Sequence, residues 1–333
     1  MYTDDDIDFA ISKGIFSKEA AVEFRAQISS RKGTSVVDEE NFRLVTSFND
    51  VFVVIACLLL VFSSLWVLRS WSEMLGLAIV PMLSWGLAEV FVRKRKMALP
   101  AIVLLLSFVG GVFSFGEYVF QALSESSVVF AAAFAALACY FHWRRFKVPI
   151  TVAAGTAAGI GSLVTLVLAT LPSSADSALT VVALFGVVVF VYAMYWDASD
   201  RTRSTYRTDV AFWLHLLSAP LIVHPVFSKL GILDGNETFG GMVIVLLLYL
   251  VMTLVSIAID RRAFMVSSLG YVLYTISSLF TDYGSVGYSF ALTGICIGVA
   301  LLMLSVFWSS SRTKLVTKLP SLMQGYLPAV AHR

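Results

Sequence analysis

Ten long apolar runs dominate this sequence and constrain its fold more than any other feature. They cover residues 51–68, 74–92, 97–118, 127–143, 148–171, 179–196, 209–228, 239–259, 263–280 and 288–308. Each is close to the roughly 20 apolar residues that cross a bilayer core of about 30 Å. Because backbone groups in lipid must bond within their own segment, and because the connections are short, the runs predict α-helices rather than barrel strands. The predicted fold class is an all-α polytopic membrane helix bundle with ten transmembrane helices.

Composition excludes the soluble classes of protein. Apolar residues make up 58% of the chain and charged residues only 14%, against roughly 25% charged residues in a typical globular domain. A chain with so few charges cannot cover its surface in water, so its expected partner is the lipid bilayer, and no nucleic-acid partner is expected. The three cysteines lie inside apolar runs and their number is odd, which argues against a disulfide framework.

The placement of lysine and arginine predicts the orientation of the chain. With the N-terminus in the cytoplasm, 22 of the 24 basic residues lie on the cytoplasmic side, and only Arg69 and Lys229 lie outside. The positive-inside rule favours this direction. Omitting the weakest run, 209–228, would change the ratio to 17 inside against 7 outside. The sequence therefore predicts ten spans, with both termini in the cytoplasm.

Three regions follow from this topology. Residues 1–49 are predicted to form a cytoplasmic helical hairpin and linker, residues 50–308 the transmembrane domain, and residues 309–333 a cytoplasmic tail. Five spans precede residue 172 and five follow residue 178, so the domain divides into candidate halves, 51–171 and 179–308. An odd number of spans in each half would give the halves opposite orientations, as in transporters built from inverted repeats.

The N-terminal segment is predicted to be an αα-hairpin of two short helices, 5–13 and 18–29, with Gly14 as a left-handed helix stop. Its string DFAISKGIFSKEAA, residues 8–21, resembles the N-terminal hairpin of a family of bacterial polytopic membrane proteins of unknown function. The stretch from FWLH to IVHP, residues 212–225, is similar to a signature of such a family. The resemblance implies a multi-pass protein of the bacterial inner (plasma) membrane without an assigned activity, and it supplies no functional residues.

Ionisable residues inside apolar runs are candidates for function, because they are costly in lipid. Glu89 lies four residues before Arg93, a spacing that permits a structural ion pair on one helix face. Glu117 lies twenty residues beyond the start of its run, about 30 Å along a helix, where an interfacial carboxylate is the alternative interpretation.

The seventh run, 209–228, carries the densest polar pattern. Asp209 lies in its first turn, and His215 and His224 follow on either side of Pro220. Nine residues place the two histidines on opposite faces of a straight helix, although a kink at the proline could change that. One hypothesis is a proton-responsive or substrate-coordinating helix that lines a cavity. The alternative is two neutral histidines bonded to neighbouring helices.

The connection after the sixth run contains three arginines, Arg201, Arg203 and Arg207. They could hold an anionic lipid headgroup or a phosphate, or they could simply set the topology. The sequence has no Cys–His pair at metal-ligand spacing and no nucleotide-binding or hydrolase motif. We therefore expect no metal, no cofactor, no catalytic residues and no enzymatic activity.

Two functions remain. The layout of five plus five spans is similar to that of drug/metabolite-type permeases, which favours a small-molecule permease or flippase with helix 209–228 lining the path. The alternative is a non-transporting membrane scaffold or assembly protein that binds a protein partner through its N-terminal hairpin. A central cavity ringed by His215, Glu89 or Glu117 would favour the first function. A filled bundle with an exposed apolar hairpin face would favour the second.

Overall fold

The structure, a computed structural model, describes residues 4–32, 48–121, 126–170, 175–201, 203, 205–231, 239–283 and 289–328. These residues form thirteen α-helices and no strand. The helices are α1 (Asp4–Ser12), α2 (Lys18–Lys32), α3 (Phe48–Arg69), α4 (Glu73–Ala88), α5 (Ala98–Gln121), α6 (Ser127–Phe146), α7 (Ile150–Thr170), α8 (Ala175–Ser199), α9 (Tyr206–Lys229), α10 (Phe239–Ile259), α11 (Ala263–Tyr283), α12 (Ser289–Val316) and α13 (Ser321–Gln324). Helix α4 continues directly into a π-helical segment, Glu89–Lys94.

The N-terminal helices α1 and α2 form a hairpin. Gly14 has a φ of +70°, the left-handed conformation that glycine adopts without steric cost. The amide of Ile15 donates to the carbonyl of Ala10 at 2.9 Å, which ends α1. The side chain of Ser17 accepts from the amide of Ala20 at 3.1 Å and so caps α2. The two helices and their turn therefore occur where the sequence predicts them.

Nine helices in the described part of the chain are long and apolar enough to cross a membrane. They are Phe48–Arg69, Glu73–Lys94, Ala98–Gln121, Ser127–Phe146, Ile150–Thr170, Ser177–Ser199, Tyr206–Lys229, Gly240–Ile259 and Thr293–Val316. The chain is thus an all-helical, multi-pass membrane protein. The remaining predicted run, 263–280, coincides with α11, whose described apolar stretch, Ala263–Ser277, is shorter than these spans. The count of ten spans therefore stays a prediction.

Helix α9 is the most deeply buried of these nine helices. Half of its most apolar window is buried, against 11% for α3. Helix α8 packs closely on it, since a Cβ atom added to Gly186 would lie 2.9 Å from the backbone of Leu221. Pro220 and Pro225 both lie inside α9, which is nevertheless helical from Tyr206 to Lys229. The polar seventh run of the sequence therefore occupies the centre of its helix group and not its lipid-facing edge.

Most of the described basic residues of the bundle lie at one end. Three contacts between helices bring their connections together there: Arg145 with Glu89, Trp143 with Tyr206, and Arg203 with Asp260. We call this the basic end. It contains the α4–α5, α6–α7, α8–α9 and α10–α11 connections and the last turns of α12. At the opposite end, Arg69 pairs with Glu73 and Lys229 donates to Thr180. The asymmetry of basic residues in the sequence is therefore an asymmetry of the folded bundle.

The four connections of the basic end share an unusual backbone feature. Each contains one non-glycine residue with a positive φ, between 52° and 60°: Lys96, Lys147, Arg203 and Asp260. A left-handed conformation costs an ordinary residue roughly 1–2 kcal/mol. Surrounding contacts must therefore hold these turns, and at Arg203 and Asp260 the contact is between the two strained residues themselves.

Candidate functional site

Two buried carboxylates organise the basic end, and the first is Asp197. It lies in the last turn of α8, and its side chain is 1% exposed. Its Oδ2 lies 2.8 Å from Nε2 of His215 on α9. Its Oδ1 accepts from Nη2 of Arg261, also at 2.8 Å, and Arg261 lies just beyond α10. One carboxylate therefore joins α8, α9 and the α10–α11 connection.

The second carboxylate, Asp260, lies one residue before Arg261. Its Oδ2 accepts from Nη1 of Arg203 at 2.9 Å and lies 3.5 Å from Nε of Arg312 on α12. Its Oδ1 accepts from Nε1 of Trp308 at 2.8 Å. Asp260 therefore ties the α8–α9 connection to α12. We use the name ionic network for the set of residues Asp197, Arg203, His215, Asp260, Arg261 and Arg312.

Asp200 fixes the chain between α8 and α9. Its Oδ2 accepts from the amide and the hydroxyl of Thr205, at 2.8 Å and 2.7 Å, and from the hydroxyl of Thr208 at 3.1 Å. The hydroxyl of Thr205 in turn accepts from the amide of Arg207 and caps α9. Asp200 is thereby bonded to the start of α9, and Arg203, which lies between them in the chain, lies beside Asp260.

Carbonyl groups of the C-terminal segment complete the site. Arg201 donates from Nε to the carbonyl of Leu327 at 3.0 Å and from Nη2 to that of Gln324 at 3.1 Å. Arg312 donates from Nη2 to the carbonyl of Pro328 at 2.7 Å. The segment around α13 is thus bonded to both the α8–α9 connection and α12.

The charges of the buried groups balance when His215 is neutral. Three carboxylates, from Asp197, Asp200 and Asp260, stand against the guanidinium groups of Arg203, Arg261 and Arg312, and all six residues are buried or have buried side chains. Burial, followed by repulsion from Arg261, lowers the pKa of Arg203 from its ordinary value. An arginine nevertheless stays protonated in a protein, so this buried cation depends on its carboxylate partner.

The histidine of this network has one nitrogen without a partner. The side chain of His215 is 0% exposed, and the ring of Phe190 lies edge-on at 5.5 Å. Because a carboxylate accepts hydrogen bonds, the pair with Asp197 assigns the proton of the neutral ring to Nε2. Nδ1 then carries a lone pair, and no group in the described structure donates to it. The atom is a buried acceptor at which a proton or a substrate donor could bind.

The other predicted residues of α9 lie apart from this nitrogen. His224 is exposed, with Nδ1 2.5 Å from the hydroxyl of Tyr271 on α11 and 3.4 Å from that of Ser228. The two histidines therefore contact different helices and do not form one site. Asp209 is half-buried in the first turn of α9, near enough to Arg261 for their charges to interact.

The glutamates also occupy separate places. Glu89 pairs with Arg93 at 3.2 Å, which confirms the contact predicted from their spacing. Glu89 also accepts from Nε and Nη2 of Arg145 at 2.6 Å and 3.1 Å, and this second contact joins the π-helical continuation of α4 to α6. Glu117 is exposed on α5, near the opposite end. Neither glutamate contacts the ionic network through any described bond.

The three arginines proposed to bind an anionic headgroup differ in their exposure and in their hydrogen bonds. Arg201 donates to backbone carbonyls, and Arg203 is 3% exposed against Asp260. Arg207 is exposed at the start of α9. Arg201 and Arg207 are thus both exposed, but Arg201 is bonded to two backbone carbonyls, and binding of a headgroup stays a prediction.

Sequence reasoning missed most of the ionic network. Asp197 follows the run 179–196 directly, and Asp260 and Arg261 follow the run 239–259 directly. Charges at the ends of apolar runs are normally attributed to topology. One signal was available in the sequence: acidic residues lie among the basic ones at two of these run ends. Charges that only set the topology would be Lys and Arg alone.

A separate apolar cavity of about 400 Å³ lies between α3, α4 and α5. Its wall includes Phe62, Val80 and Leu106 and does not include His215, Glu89 or Glu117. This cavity is therefore not one that would favour a path along α9.

No family model, no curated protein and no solved structure matches this chain. The resemblance of residues 8–21 to a bacterial family accordingly stays a prediction.

Proposed function

We propose that this multi-pass membrane protein is a small-molecule permease or flippase in which α9 lines the path in an open state, and in which the ionic network closes the basic end in the packed conformation of the structure. The observation that carries the proposal is the sharing of Asp197 between His215 and Arg261, each at 2.8 Å. Ionisable side chains buried within membrane helices are costly, and they mark substrate paths and proton relays. A titratable side chain at the centre of the most buried helix fits that role.

The contacts suggest how a proton would act on the network. A proton that binds Nδ1 of His215 makes the ring a cation beside Arg261, while Asp197 remains the one carboxylate that both share. The new charge has no further carboxylate bonded to it, so the two cations compete for Asp197 and repel each other. The contact between Asp197 and Arg261 weakens as a result. The α10–α11 connection then loses its bond to α8 and keeps its bonds to Arg203 and to the carbonyl of Thr208. Loss of the first bond is thus the first step in opening the basic end.

A substitution of His215 tests this mechanism. His215→Gln keeps a side-chain amide that can donate to Asp197 but cannot titrate, and His224→Gln is the matched control on the same helix. Uptake of a panel of labelled small molecules would be measured in cells that produce each variant, between pH 5.5 and 8. We expect loss of pH-dependent uptake with His215→Gln and ordinary uptake with His224→Gln. Equal uptake by both variants and the unaltered protein would exclude the proposed role of His215.

We further propose that the basic end faces the cytoplasm of a bacterial cell, in the inner membrane, with ten spans and both termini inside. The distribution of the described lysines and arginines between the two ends supports this orientation under the positive-inside rule. The division into halves 51–171 and 179–308 belongs to the same proposal. Inverted halves would require α11 to cross the membrane.

Labelling of single cysteines tests the orientation. In a variant without the native cysteines, Lys229→Cys should react with an impermeant maleimide on intact cells, and Lys314→Cys only after the membrane is opened. The residues lie at the ends of α9 and α12. If α11 did not span, the two positions would lie on the same side, and both would react alike.

A second function, a scaffold that binds a protein partner, has its own supporting observation. Five large apolar side chains of the hairpin are exposed, between 42% and 70%: Phe9, Ile15, Phe16, Val22 and Phe24. The paired substitutions Phe16→Asp and Phe24→Asp would polarise this face. Each variant would be tested for its ability to restore growth to cells that lack the protein. If the paired substitutions abolish this ability while His215→Gln preserves it, the scaffold function is supported and the permease function is not.

A further inference from the structure

The cavity between α3, α4 and α5 is the second notable feature of the membrane helices, and it is independent of the ionic network. Its lining is apolar apart from two serine side chains, and its volume is about 400 Å³. Residues Val103, Ser107, Gly110 and Ser114 of the lining follow one another at spacings of four, three and four. That spacing places them in one stripe along α5. The cavity is therefore a groove that runs along this helix.

Two adjacent glycines explain why the groove exists. A Cβ atom added to Gly111 would lie 2.7 Å from Cγ1 of Val80 and 2.8 Å from Cδ of Pro81, so this glycine allows α4 and α5 to meet. A Cβ atom added to Gly110 would have no other group within 4 Å. Contact at the first position and open space at the second leave a cleft beside the α4–α5 contact.

The position of the groove along the helices identifies the half of the bilayer in which it lies. On α3 its lining extends from Leu58 to Leu65, which are eleven and four residues before Arg69. These separations correspond to about 16 Å and about 6 Å along the helix. The groove therefore begins about one turn below Arg69 and ends about 16 Å below it, close to the midplane of a bilayer core of roughly 30 Å. This depth corresponds to one leaflet of hydrocarbon chains.

A charged group lies where the headgroup of such a chain would be. Arg69 ends α3 and pairs with Glu73, and the two side chains are 57% and 45% exposed. It is one of two basic residues, with Lys229, among those described at the opposite end of the bundle. Nη2 of Arg69 donates to Glu73, and the guanidinium has further N–H donors with which it can bind a phosphate. The walls of the groove are thus mostly apolar, and a guanidinium group lies about one helical turn beyond its end.

We propose that the groove is a binding site for one phospholipid, with an acyl chain between α3, α4 and α5 and the phosphate at Arg69. At this depth the surrounding medium is hydrocarbon, and an empty apolar groove would lose the van der Waals contacts of its walls. Transfer of a chain from the bilayer brings no hydrophobic gain, because lipid tails are as apolar as leucine. Selectivity for one lipid class must therefore come from Arg69, and residence time from the fit of the chain.

Filling the groove tests the proposal directly. Gly110→Leu would place a side chain in the open space of the groove, and Gly161→Leu on α7 is the matched control. Gly161 also has no group within 4 Å of an added Cβ atom, and it does not line the groove. The protein would be reconstituted in vesicles of phosphatidylcholine with a small fraction of phosphatidylglycerol that carries a photoreactive diazirine on one acyl chain. After irradiation, the labelled peptides would be mapped by mass spectrometry.

We expect label on peptides of α3 and α5 in the unaltered protein and in Gly161→Leu, and loss of that label in Gly110→Leu. Thermal unfolding of both variants would show that each is folded. Label of equal intensity on α3 and α5 in both variants, or label that is spread over all lipid-facing helices, would overturn the proposal.

The phosphate contact is tested separately. Arg69→Gln should weaken labelling by the phosphatidylglycerol probe and leave labelling by an uncharged diacylglycerol probe with the same chain unaffected. Equal loss for both probes would show that Arg69 maintains the shape of the groove and does not bind a phosphate. Because neither substitution touches the ionic network, a negative result here leaves the proposed permease function standing, and a positive one does not depend on it.

Discussion

The substitution Asp260→Asn should remove one negative charge from the ionic network with little other change. Asp260 has a φ of +60°, and asparagine shares with aspartate the ability to adopt this left-handed conformation. The oxygen of the new amide can still accept from Nε1 of Trp308, which lies 2.8 Å from Oδ1 of Asp260. What is lost is the carboxylate opposite Arg203 and Arg312.

The size of the effect follows from burial. The side chain of Arg203 is 3% exposed and donates to Asp260 at 2.9 Å. Removing one partner of a buried ion pair costs about 3–5 kcal/mol, because the other charge stays buried and uncompensated. Arg203 retains bonds to the carbonyls of Ile259 and of residue 260 itself, at 3.3 Å and 3.2 Å. Because these bonds remain, we expect Asp260→Asn to lower the free energy of unfolding by the lower limit of this range, about 3 kcal/mol.

The assay is equilibrium unfolding in mixed micelles of detergent and sodium dodecyl sulfate, followed by tryptophan fluorescence. Glu73→Gln is the control, since it removes one charge from the exposed pair with Arg69. Exposed pairs contribute about 0–1 kcal/mol. If the free energy of unfolding of Asp260→Asn fell within about 1 kcal/mol of that control, the argument that Arg203 depends on Asp260 would be refuted.

Three further predictions use other contacts. Gly186→Ala should lower the free energy of unfolding by about 1–3 kcal/mol, because its Cβ would lie 2.9 Å from α9, whereas Gly161→Ala, in open space, should not. Glu89→Gln should loosen α6 from α4 by removing the acceptor of Arg145, and faster hydrogen exchange at the end of α6 would show it. Deletion of residues 321–333 removes the carbonyls that bind two arginines of the basic end, and it should lower the thermal stability of the protein in detergent. Unchanged exchange at α6, or unchanged stability after the deletion, would contradict these assignments.

The membrane helices were predictable because the bilayer imposes a single rule. Backbone groups in lipid must bond within one segment, so a long apolar run is almost always a helix. The nine described spans fall on nine of the predicted runs. The Gly14 turn was predictable for a similar reason, since a left-handed residue ending a short helix is usually glycine. These features depend on local sequence alone.

The ionic network was not predictable, because its bonds join residues far apart in the chain. Arg203 and Asp260 are 57 residues apart, and Asp197 and Arg261 are 64 residues apart. Which charges at the ends of runs turn inward depends on the rotation of each helix and on its neighbours. Sequence reasoning identified His215 from its position in an apolar run. It could not assign Asp197 as its partner, and it gave His224 equal weight.

The placement of the network also separates the two proposed functions on physical grounds. A scaffold needs rigid ends and gains nothing from a titratable side chain, so a neutral residue of similar shape at position 215 would serve it equally well. A permease needs an end that is closed in one state and can open in another. Under the proposed function, the left-handed backbone at Arg203, held by its bond to Asp260, would favour opening, because breaking that bond also relieves backbone strain. Suppose that His215→Gln raises the free energy of unfolding and also abolishes uptake. The native network would then lower stability while permitting movement, and the scaffold function does not explain such a combination.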